Sequence, residues 1–171
     1  LAVALLGICG CDPWHSASFG PPHPVAFGAR VTDGQLNVWT GSPCVRTTRI
    51  MLSFEPSRAE LVLTASAAEP VTFERVTVGG PYPHGLDVSG PLPDGFDWRS
   101  QQSMRISVAS DSDGWGTSTD LAPVIRDSGQ HPVDTYWFQD VGWLDPAEVA
   151  AQDGKTFLAT CTDPRVKTSS R

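Results

Sequence analysis

Lysine is almost missing from this chain: two of 171 residues, with basic residues numbering 12 in all against 19 acidic ones. The net charge of −7 leaves no basic footprint for the phosphates of a nucleic acid, and none for an anionic membrane surface. Charged residues of both signs reach only 18 %, below the usual quarter. No apolar run approaches the roughly 20 residues that a spanning helix needs. Motifs of local chemistry are missing too: there is no G-x-S-x-G elbow, no S-x-x-K and no H-E-x-x-H. No cofactor is implied, and no catalytic or metal-ligating residue can be assigned. Arginine outnumbers lysine ten to two, a codon signature of a GC-rich genome rather than of function.

What the chain does have is 16 Gly, 15 Pro, six Trp and a 40 % hydrophobic fraction. That composition suits a single loop-rich β-domain with a real core and does not suit a disordered chain. From Val31 onward the dominant period is two. In QLNVWT, Leu36 and Val38 face one way and Trp39 the other; Ile50, Leu52 and Phe54 alternate in RIMLSFE. AELVLTA, SMRISVA and KTFLATC repeat the pattern, the last placing Phe157, Ala159 and Cys161 on one face. In VTFERVTVG the parity changes between Phe73 and Val76, which predicts a bulge or bend at Glu74–Arg75. DTYWFQD predicts a strand with Tyr136 and Phe138 on one face and Trp137 on the other.

One short helix is predicted in LDPAEVAAQDG, with Asp145 as N-cap, Pro146 at the first position and Glu148 completing a capping box. The expected fold is all-β: an immunoglobulin-like antiparallel β-sandwich of about seven or eight strands with one short helix.

The first eleven residues, LAVALLGICGC, carry an apolar stretch of signal-peptide h-region length followed by Ile8-Cys9-Gly10-Cys11. A charged segment and an initiator Met are expected ahead of it. This stretch resembles the lipobox of bacterial lipoproteins, in which small residues precede a cysteine that receives diacylglycerol before cleavage. The chain as a whole is similar to small uncharacterised lipoproteins of actinobacteria. The resemblance implies Cys11 as the lipidated residue and mature N-terminus, anchored outside the cytoplasm. Two alternatives stand beside it: a cleaved secretory signal, or a buried first strand holding Cys9 and Cys11 as core thiols or a disulfide. The lipoprotein reading divides the chain into a signal remnant (1–10), a lipid-anchored Pro/Gly-rich tether (11–30), a β-sandwich (31–162) and a polar tail (163–171). It also leaves Cys44 and Cys161, which an exported chain is expected to pair. The alternative is two free thiols or zinc ligands.

Four further features compete for function. The stretch 109–120 gathers Asp111, Asp113 and Asp120, the ligand type that calcium takes. It fails the EF-hand pattern, with Trp115 at the fifth position and no Glu at the twelfth, so it reads as a polar turn. The stretch 79–95 holds nine Gly or Pro in seventeen residues. It reads as a crossover between sheets in which LDV adds a short strand. A binding loop with Tyr82, His84, Phe96 and Trp98 is the alternative. The four histidines, His15, His23, His84 and His131, lack metal-site spacing and read as surface or turn residues. Trp39 and Trp137 form a stacking platform for sugar rings if both face solvent on one sheet; otherwise they cover the second face of a sandwich.

The functional expectation is a non-enzymatic, membrane-anchored envelope domain that binds a partner protein or has a structural role. A carbohydrate- or cell-wall-binding module using exposed Trp is the second reading. A hydrolase with an unrecognised site is the third.

Overall fold

A computed structural model of the chain describes residues 23–66, 69–110 and 114–162. The stretches expected to be a signal remnant, a lipobox with Cys11, residues 11–22 of a tether and a tail at 163–171 lie outside these residues. In chain order the strands are β1 (Val25–Ala26), β2 (Gly28–Thr32), β3 (Gln35–Glu55), β4 (Ala59–Ala65), β5 (Val71–Thr77), β6 (Leu86–Gly90), β7 (Ser103–Ser110) and β8 (Gly114–Asp120). After β8 come α1 (Leu121–Asp127), β9 (Tyr136–Phe138), β10 (Gly142–Leu144), α2 (Pro146–Gln152) and β11 (Leu158–Ala159). Among the described residues, nine of the strands form one large antiparallel sheet, while β1 and β11 form a small parallel pair.

The architecture turns on β3, which runs for 21 residues through both halves of the sheet. Its first part pairs with β2 on one side and β5 on the other; its second part pairs with β4 and β7. The register breaks between Trp39 and Thr47, where Gly41 and Arg46 both have positive φ. The two halves fold over a common core of Leu36, Val38, Ile50, Leu52, Phe54, Leu61, Leu63, Phe73, Met104 and Ile106. The fold is thus all-β and sandwich-like, its layers being two halves of one sheet joined through β3. A second, smaller core lies apart from the first. Trp39, Phe138, Leu144, Val149 and Phe157 fill it, so α2 and the β9–β10 hairpin contribute to it.

The period-two segments became strands where expected, except that KTFLATC supplies only the two-residue β11, and the parity change in β5 coincides with the register shift between its Phe73 and Arg75 pairings. The helix α2 carries the full capping box: Glu148 N–H donates to Asp145 Oδ1 at 2.8 Å, and Asp145 N–H to Glu148 Oε2 at 2.9 Å. Four expectations need correction. The fold begins by Val25, not Val31, because Ala26, Phe27, Ala29 and Arg30 are all buried. The described residues form eleven strands where about seven or eight were expected, the excess being strands of two or three residues such as β1, β9, β10 and β11. A second helix, α1, buries Leu121 and Val124 one turn apart. Residues 114–120 are an edge strand rather than part of a turn, paired to β7 along its whole length.

Candidate functional site

The two cysteines expected to pair do so. Cys44, fully buried in the irregular middle of β3, is bonded to Cys161 just past β11, with Cα atoms 5.1 Å apart. The bond ties the crossover strand to the end of the described chain, and Thr160 N–H donates to Thr40 O beside it at 3.0 Å.

The condition for a Trp39–Trp137 platform, that both indoles face solvent on one sheet, is not met. Across the sheet, Trp39 lies level with Gly28 and Phe138, while Val38 lies level with Ala29 and Trp137. Side chains alternate between faces along a strand, so the two indoles project from opposite sides of the sheet. Trp39 is 3 % exposed in the second core, packed on Tyr136 and Phe138 at 5.3 and 5.6 Å, with its Nε1–H donating to Glu74 Oε1 at 2.8 Å. Trp137 is half-buried and packs against the main core from the other face.

The loop 79–95 follows the crossover reading. Leu86–Gly90 is an edge strand paired to β4, and Tyr82, Leu92 and Phe96 pack on the main core, Phe96 against Phe54 at 5.0 Å. Trp98 is buried beneath the Arg99 guanidinium, 4.4 Å from its ring centre. Of the acidic stretch, Asp111 and Asp113 lie outside the described residues, and Asp120 is exposed with its backbone N–H donating to Gln139 Oε1 at 2.9 Å. His15 also lies outside; His23 and His84 are exposed. Among the described residues, no three His, Cys, Asp or Glu side chains come together in a way that could hold a metal ion.

A constellation that sequence reasoning missed stands at the β9–β10 edge. Arg30, assigned by sequence to the tether, is 4 % exposed. Its Nη1 donates to Thr135 O at 3.0 Å and its Nη2 to His131 O at 3.0 Å, holding down the loop before β9. The His131 imidazole lies flat on Trp143, centroids 4.3 Å apart and planes 16° from parallel. Trp143 is in turn the cross-strand partner of Trp137. No sequence period marks this group, since its members come from β2, a loop, β9 and β10. The one local signal is an arginine inside an otherwise apolar run, VAFGARV.

No protein-family model, no curated protein and no solved structure matches this chain. Among the described residues, no helix is long and apolar enough to cross a membrane.

Proposed function

We propose that the protein is an extracytoplasmic lipoprotein, held to the bacterial cell membrane through Cys11, whose β-domain serves the envelope by binding rather than by catalysis. The observation that carries the reading is the Cys44–Cys161 bond. Disulfides of this kind persist in oxidising compartments and are rare in the cytosol. Cys11 follows the small residues Cys9 and Gly10, as the lipobox resemblance requires. A domain within tether's reach of the membrane meets envelope proteins and glycans, and these are the partner classes we assign.

Intact mass of the unreduced protein from a lipoprotein-processing host tests both halves at once. The expected species begins at Cys11, carries diacylglycerol-type lipid mass and has no free thiol. A species that retains Leu1–Gly10 without lipid would remove the anchor and the location with it.

A further inference from the structure

Among the described residues, the exposed Arg99 and Arg126 have carboxylate partners, Asp97 at 3.9 Å and Asp127 at 2.7 Å. The buried arginine does not. Arg30 donates only to neutral oxygens, Thr135 O, Thr135 Oγ1 and His131 O, and its Nε–H meets no acceptor at all. A second enclosed donor, Trp137 Nε1–H, also lacks an acceptor. Trp39 makes the contrast plain, because its indole N–H is satisfied by Glu74. The two side chains that carry these deficits flank one ring: the Arg30 guanidinium carbon is 6.0 Å from the Trp143 centre, and the Trp137 ring centre is 6.1 Å from it. His131, Trp137 and Trp143 are all half-buried, so the cluster reaches the surface.

A desolvated cation without a counter-charge and a buried N–H without an acceptor are both unfavourable in the folded state. Here they share one sign, and the same chemistry relieves both. We propose that Arg30, Trp137 and Trp143 bind a carboxylate carried on a ring, the carboxylate meeting the unpaired donors and the ring stacking on Trp143 in the place the His131 imidazole now holds. A carboxylate is a planar, acceptor-only anion that matches a guanidinium. Sugar and aromatic rings alike present a face that suits indole. His131 marks the place of that ring, since its imidazole already lies on Trp143, and the incoming ring displaces it. The proposal rests on the binding role above but not on the anchor, so each fails by a different experiment.

The test is titration of the purified chain, followed by tryptophan fluorescence and calorimetry, with a galacturonic acid trimer, benzoate and an uncharged galactose trimer. Binding of the acidic trimer or of benzoate, without binding of the neutral trimer, is the expected result; the acid that binds distinguishes a sugar source from an aromatic one. Trp143→Ala is expected to weaken that binding by about tenfold or more. His131→Ala removes the competing ring while keeping the backbone carbonyl that Arg30 needs, and is expected to tighten binding by about two- to tenfold. Neither acid binding, equal binding of the neutral trimer, or weaker binding by His131→Ala would each overturn the proposal.

Discussion

Trp39 illustrates how little a residue's environment follows from its position in an alternating run. Leu36 and Val38 fill the main core, and simple alternation then places Trp39 toward solvent. The sheet has a second core on that side, so both faces of this part of β3 are buried. Trp39→Ala should therefore cost about 3–5 kcal/mol in urea unfolding, the range for truncating a buried aromatic ring. Asp127 is the opposite case. A hydrogen bond from Arg126 holds its carboxyl below the ordinary range; the Arg126 side chain is exposed and that of Asp127 partly so. Because the folded-state value is lowered, the pair's stabilisation is present at neutral pH and fades as pH falls through that lowered value. Exposure and salt keep it small. Arg126→Ala should move the NMR titration of Asp127 upward and leave the melting temperature essentially in place.

Among the elements, β3 depends on residues at its irregular centre. Gly41 has φ +78°, and a Cβ added there would lie 3.0 Å from Ala159 Cβ and 3.2 Å from the Phe138 ring. Gly41→Ala should destabilise by about 1–3 kcal/mol through backbone strain alone, read as a lower urea midpoint. The helix α2 spans only two turns, so its termini matter more than its propensity. Asp145→Ala removes the cap to Glu148 N–H and should cost about 1 kcal/mol by thermal unfolding. That helix was legible because a capping box is local chemistry. The edge strand β8 was not, since GWGTSTD has neither the apolar alternation nor the β-branched run that marks a strand. Its partner β7 supplies the hydrogen-bond template. The helix α1 was missed for a related reason: Leu121 and Val124 are too few to establish a period without the core they enter.

For the molecule as a whole, the disulfide closes 117 residues of sequence separation and so constrains most of the folded chain when unfolded. Cys44→Ala should lower stability by about 2–5 kcal/mol in denaturant unfolding, and Cys161→Ala should match it. Composition and cysteine number, with two cysteines left once the lipobox-like stretch is set aside as an expectation, made this bond and the all-β class readable in advance. Period-two patterning placed most strands and the buried side of each, because one-sided burial leaves a direct trace in the order of residues. Which strands meet, how β3 passes from one layer to the other, and which faces acquire a second cover depend on contacts between residues far apart in sequence. Arg30 belongs to that second group: by sequence it is one polar residue at the end of a Pro-rich stretch, and only tertiary packing encloses its guanidinium beside Trp137, Trp143 and His131. Local order determined most of the strands and α2, and cysteine number the disulfide; β8, α1 and the candidate site were decided by tertiary structure, since a pairing template and the burial of a charge are properties of neighbours in space.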